Sequence, residues 1–272
     1  MHRLGVCSWS LRPQGPQDLV EKVRATGLSA CQLALDPIRT RRWGEAELRE
    51  ALVASGIAVL SGMIEMQGED YSTLESIRTT GGVRPDRTWN ANLAAAREDA
   101  ALAERLGISL VTFHAGFLPH EPAALERAAM LARVRDVARV FAGRGIRVAL
   151  ETGQESAPTL LPVLEELADA GVGVNFDPAN MILYGMGDPV AALRELGAYV
   201  RQVHVKDARP AAQPGTWGTE VPVGSGAVDW QQFFATLARV QPGVALLIER
   251  EAGDRRVEDV RTAKALVESL LR

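Results

Sequence analysis

The stretch "VGVNFDPANMILYGMGDPVAALRELGAYVRQVHVKDA" (residues 172–208) holds two textures. At each end is a short apolar run, "VGVNFD" (172–177) and "RQVHVK" (201–206), and between them "DPVAALRELG" (188–197) has helical spacing. Runs of this length that are apolar throughout are expected of strands buried on both faces, as in a parallel sheet. A strand, a helix and a second strand make one βαβ unit, and its two strands each end in a polar or charged group.

The same alternation extends in both directions. Six more apolar runs fit strands: 3–8, 29–35, 57–63, 108–114, 146–151 and 244–249. Helical spacing recurs between them, and several helical segments close on a glycine, at Gly27, Gly56, Gly107, Gly145, Gly171 and Gly197, as helix C-termini often do. Eight βα units in 272 residues predict a single (β/α)₈ TIM barrel domain over 1–272. A doubly wound dinucleotide-binding sheet would carry a Gly-rich turn after its first strand. Here "SWSLRPQGPQ" follows instead. Two connections are long, 64–88 and 207–229, and both contain aromatic and charged residues, so they are expected to form lids or substrate walls.

Composition narrows the function. The net charge is −4, which gives no broad basic surface for phosphates, so nucleic acid is not an expected partner. No stretch reaches the roughly 20 apolar residues of a membrane span, and the first residues lack a basic leader with a long apolar core. The two cysteines, Cys7 and Cys31, fall in apolar runs and read as buried free thiols. A cytoplasmic enzyme is the expectation, and association of identical copies is compatible with it.

In such barrels the C-terminal ends of the strands carry the chemistry. Glu151 ends the fifth predicted strand, Asp177 the sixth and Glu249 the eighth, while His204 lies within the seventh. Three carboxylates brought together in apolar surroundings repel one another and are costly to ionise. A divalent cation removes the difficulty. An oxygen-rich set with one imidazole suits Mn²⁺ first, with Mg²⁺, Co²⁺ or Zn²⁺ as alternatives. A single such residue more often begins a solvated loop or fills a core; four on consecutive strands argue for a shared site.

These stretches, "ALETG", "NFDPAN", "VHVKDA", "VGSGAVDW" and "LIERE", resemble the sugar phosphate isomerase/epimerase family with the xylose isomerase-like barrel, and the similarity spans essentially the whole chain. The resemblance implies that Glu151, Asp177, His204 and Glu249 bind one divalent metal. It also implies a carbohydrate substrate and isomerase or epimerase chemistry. There are departures. Ketose 3-epimerases of this group have a histidine three residues after the aspartate, where this chain has Asn180. They have an arginine six residues after the histidine, where it has Pro210, and a second glutamate where it has Ala157.

Isomerases and epimerases remove a proton next to a carbonyl. Glu151 and Glu249 are the expected acid–base pair, one on each side of the substrate. Proton return on the same face gives isomerisation; return on the opposite face gives epimerisation. Lys206 is expected to bind a substrate oxygen or phosphate, or else a neighbouring carboxylate. His114 and Asn180 are expected to hydrogen-bond substrate, and Trp9 to form a wall under a sugar ring or to pack. Asp207 is read as orienting a neighbour. "VGSGAVDW" is read as a tight loop before a helix capped by Asp229, rather than a phosphate loop. The main alternative is a lyase that uses the same metal site on a keto-sugar or glycoside. A multi-zinc nuclease is disfavoured by only four histidines, two of which, His2 and His120, fall off the predicted rim strands. A non-catalytic sugar-binding barrel is disfavoured by the intact Glu151 and Glu249.

Overall fold

A computed structural model describes residues 2–119, 121, 123–213 and 215–271; His120 lies outside the described residues. The eight apolar runs form β1 (Leu4–Cys7), β2 (Ala30–Ala34), β3 (Ala58–Met63), β4 (Leu110–Phe113), β5 (Arg147–Glu151), β6 (Gly173–Phe176), β7 (Val200–Val205) and, after two short strands, β10 (Ala245–Ile248). They close in the order β1-β10-β7-β6-β5-β4-β3-β2, every pair parallel. The expected TIM barrel is therefore the observed fold. Helices pack outside the strands, and their apolar stripes bury Phe141 and Phe233 completely against strand residues such as Phe113 and Phe176.

Helix ends follow the glycines. Gly27, Gly56, Gly107, Gly145 and Gly171 all have φ between 64° and 77°, where a Cβ is costly. Gly197 differs. Its φ is −51°, and the chain runs on into a 3₁₀ turn, Gly197–Tyr199. A glycine is required there for space, since an added Cβ would lie 2.6 Å from the Cβ of Val240.

The long connections are more ordered than their composition suggests. Within 64–88 lies the helix Leu74–Thr80, closed by a capping box between Thr73 and Ser76. It buries only Ile77, too little apolar surface to show as a periodic pattern. Within 207–229, β8 (Asp207–Arg209) pairs antiparallel with β9 (Thr219–Val221). No helix among the described residues is long and apolar enough to cross a membrane.

Candidate metal centre and active site

At the C-terminal rim, each residue of the predicted cluster is aimed by its own local structure. Glu151 is the last residue of β5. Asp177 follows β6 and caps the short helix Pro178–Tyr184: its Oδ1 accepts from the backbone N–H of Ala179 (2.8 Å) and Asn180 (3.0 Å). Pro178 at the first helical position needs no acceptor. That cap leaves Asp177 Oδ2 buried and without a hydrogen-bond partner among the described residues. Glu249 follows β10, and the indole N–H of Trp9 donates to its Oε1 at 2.7 Å, leaving the buried Oε2 to face Lys206 Nζ at 3.0 Å.

His204, fully buried on β7, is oriented from below. Gln32 uses its amide nitrogen on Thr112 Oγ1 (2.8 Å) and Gly62 O (3.2 Å), so its Oε1 faces His204 Nε2 at 2.7 Å. This short contact favours the tautomer in which Nε2 carries the proton and donates to Gln32, with the Asn175 amide nitrogen 3.1 Å from the same atom. Nδ1 is left buried, unpartnered and 3.3 Å from both Glu151 Oε1 and Glu249 Oε2, with Asp177 Oδ2 at 3.8 Å. One donor atom from each of the four residues lies within 4.8 Å of all the others.

The four residues singled out in the sequence do converge, and the sequence reading missed the layer beneath them. Gln32, Ser61, Thr112, Asn175 and Gln202 are fully buried on β2, β3, β4, β6 and β7. Gln202 Nε2 donates to Gln32 Oε1 and to Asn175 Oδ1 (both 3.1 Å), and Asn175 Nδ2 donates to Glu151 Oε2 at 3.2 Å. Barrel interiors are more often filled by branched apolar side chains. The available signal was a polar residue set inside an otherwise apolar run.

The predicted substrate residues all line the same cavity, of about 770 Å³, but they also hold the cluster. Asn180 Nδ2 donates to Glu151 Oε1 at 2.9 Å. Its close approach is possible because Gly153 (φ 137°) has no Cβ; one would lie 2.4 Å from that of Asn180. Trp9 is a hydrogen-bond donor to Glu249 as well as a wall. His114 Nε2 stands 3.6 Å from Glu151 Oε1, and its Nδ1 is buried without a partner. Lys206 takes the ion-pair alternative: Nζ lies 3.0 Å from Glu249 Oε2 and 4.0 Å from Asp177 Oδ2, and bonds Glu251 more closely. The cavity wall also includes Tyr71 and Trp217 from the long connections, Tyr184 at the end of the helix Pro178–Tyr184, and Glu69, Glu220 and Glu251, none of them identified individually from sequence.

Electrostatics follow from this packing. Burial raises Glu249, but Lys206 and His204 overcome it and hold its carboxyl well below the usual range. Burial likewise raises Asp177, and there it wins over Lys206, leaving that carboxyl well above its ordinary value. For Glu151 the burial effect is exceeded by His114 and His204, so its pKa is lowered. Burial opposes the charged form of His204, yet Cys7, Glu151 and Glu249 push its pKa well up.

Asp207 has a different task. Its Oδ1 accepts from Ala208 N (2.9 Å) and Val228 N (3.2 Å), and its Oδ2 from Gly224 N (2.9 Å), Gly226 N (3.1 Å) and Trp230 Nε1 (3.0 Å). "VGSGAVDW" is therefore a tight loop wound around a buried carboxylate, and Asp229 caps the next helix through Gln232 N.

The barrel agrees with known proteins. The chain belongs to the xylose isomerase-like TIM barrel family, whose model matches residues 20–271. A xylose isomerase domain protein from Planctomyces limnophilus is 32% identical, with a TM-score of 0.86 over 92% of this chain and 91% of that one. An L-ribulose 3-epimerase shares the fold at 17% identity, with a TM-score of 0.76 over 100% of this chain and 95% of that one. So does a probable 3-DHS dehydratase, AsbF, from Bacillus anthracis, at 18% identity, with a TM-score of 0.74 over 98% and 99%. No curated protein sequence matches the chain at a significant level.

Proposed function

We propose that this enzyme is a divalent-metal-dependent sugar isomerase or epimerase that abstracts a proton next to a carbonyl and passes through an enediolate. One observation carries the reading. His204 Nδ1 and Asp177 Oδ2 are buried with no hydrogen bond among the described residues, and they converge with Glu151 and the Lys206-paired Glu249 at the foot of a large cavity. Orphaned polar atoms are costly, and several converging ones call for a shared partner. Three oxygens and a neutral imidazole nitrogen fit a hard to borderline cation, Mn²⁺ before Mg²⁺, Co²⁺ or Zn²⁺. When bound, such a cation supplies Lewis acidity to the charge that develops on substrate oxygens.

The chain's own residues do the rest. Glu249 is oriented by Trp9 and kept ionised by Lys206, so at neutral pH it is ready to accept a proton from carbon. Glu151 is held by Asn180 and Asn175 on another side of the cluster and delivers or removes the second proton. His114, Asn180, Lys206 and Trp9 bound the substrate. The same proposal includes a single domain, a carbohydrate substrate and a cytoplasmic location; the free buried thiols of Cys7 and Cys31 favour the last.

A second reading has one observation in its favour. The Lys206 ammonium is 3.0 Å from Glu249 and lines the cavity, so an acid stands beside the base. An acid so placed can protonate a departing hydroxyl or alkoxide, which would make the enzyme a lyase on a keto-sugar or glycoside.

Incubating Mn²⁺-loaded protein in D₂O with a panel of ketoses, aldoses and keto-glycosides separates these readings by NMR. Deuterium entering a carbon next to the carbonyl, with product of the same formula and loss of exchange in Glu249→Gln, is expected. Exchange accompanied by loss of water or aglycone moves the assignment to the lyase. Absence of exchange on every compound by metal-loaded protein contradicts both.

A further inference from the structure

Resting on the reading of the site as a sugar-transforming centre, we infer that its substrate is an uncharged, polyhydroxylated sugar without phosphate, and that the indole N–H of Trp217 reads one of its hydroxyls. Three independent features lead there. The first concerns the anion site that such a barrel offers after its seventh strand. The amides of Gly224, Gly226 and Val228 and the Trp230 indole already converge on the Asp207 carboxylate, which is 1% exposed. The chain's own anion occupies the place a phosphate would take.

The second feature is charge. Seven residues lining the cavity are carboxylates and three are Arg or Lys. Lys206 is committed to Glu249 and Glu251, and Arg39 to Asp36 and Asp99. Arg42 is exposed, donates only to Thr40 Oγ1 among the described side chains, and its charge is felt by Glu65. Even a divalent cation at the foot leaves the lining negative. At about 10 Å in water-like surroundings, a phosphate dianion against two net negative charges binds about tenfold more weakly than a neutral group.

The third feature is hydrogen-bonding sense. Trp217, from the loop between β8 and β9, packs on Tyr184 with ring centroids 4.8 Å apart, and its Nε1 is buried with no acceptor among the described residues. Glu69, Glu220 and Glu251 on the same wall can only accept when ionised. A hydroxyl accepts from the indole and donates to a carboxylate; a phosphate can do only the first.

Calorimetric titration of the Mn²⁺-loaded protein with D-fructose and D-fructose 6-phosphate, and with D-ribulose and D-ribulose 5-phosphate, tests this, alongside the D₂O assay on the same four compounds. Expected is that at least one free sugar binds or exchanges, that its phosphate binds at least about tenfold more weakly, and that the gap narrows at high salt. Trp217→Phe, which keeps the ring and loses the N–H, should weaken the free sugar about fivefold, the worth of one neutral hydrogen bond. Equal or tighter binding of a phosphate ester overturns the inference while the proposed function stands. An unaltered free-sugar affinity in a folded Trp217→Phe overturns the role of Trp217. Failure of all four compounds to bind or exchange counts against the proposed function and takes the inference with it.

Discussion

Gln32→Leu removes the acceptor that fixes the proton on His204 Nε2 while filling nearly the same volume in the barrel. In the wild type that acceptor is 2.7 Å away, and among the described residues no other side-chain oxygen bonds Nε2. Without it, the imidazole proton is better placed on Nδ1, which faces Glu151 and Glu249 at 3.3 Å each. The lone pair that the metal needs is then blocked. Loss of an outer partner of a metal-binding histidine costs about 10- to 100-fold in affinity. Gln202 Nε2 also loses one of its two acceptors, so stability should fall by about 2–4 kcal/mol. The assay is calorimetric titration of Mn²⁺ into apoprotein at neutral pH, with circular dichroism to confirm folding. Gln202→Leu is the control: it disturbs the same layer without touching His204 and should keep its affinity within about threefold. If folded Gln32→Leu binds Mn²⁺ as tightly as that control, Gln32 does not set the tautomer and the account of the layer is wrong.

Other outcomes follow from the same geometry. Asp207→Asn turns an amide toward donors that now meet a carboxylate; at about 3 kcal/mol or more lost, the melting temperature should fall by about 6–12 °C, and a change within about 2 °C would refute the anchoring role. Glu155, buried and accepting from Leu118 N at 2.8 Å, has its pKa raised by burial to about 8. Its folded value exceeds its unfolded one, so its contribution is full below the ordinary glutamate value of 4.5 and is lost as pH rises through about 8. Glu155→Gln should therefore match wild type in acid and gain relative stability, on the order of a few kcal/mol, above that range; chemical denaturation across pH checks it. Metal binding must expel the proton from His204 and from Asp177, both raised, so Mn²⁺ affinity should climb by about tenfold per pH unit for each proton released, to a pH above the ordinary histidine range. Titration heats that do not vary with the buffer's ionisation enthalpy would contradict that linkage.

The eight strands were legible because each is buried on both faces and so written as a nearly unbroken apolar run. The four candidate ligands were legible for a related reason: a carboxylate at the end of such a run has few low-cost alternatives to a shared partner. What stayed hidden depends on closure of the barrel. Gln32, Thr112, Asn175 and Gln202 each look like a tolerated polar residue in an apolar strand, and only the register of the closed sheet sets them against one another. Trp9 was read as a wall since nothing local shows that β1 and β10 are neighbours and that its N–H reaches Glu249. Lys206 had two readings, and the choice was made by Glu251, an exposed residue just past the end of the neighbouring parallel strand β10. The loop at Asp207 was legible as a turn from its glycines, but the carboxylate that organises it pairs across the hairpin.

The central claim is that Glu151, Asp177, His204 and Glu249 hold one divalent cation. A crystal soaked in MnCl₂ and measured near the manganese absorption edge tests it most directly. The account predicts a single strong anomalous peak per chain within coordination distance of all four residues, on the Nδ1 side of His204. A peak elsewhere, or an ordered rim with no peak at the cluster, would contradict it.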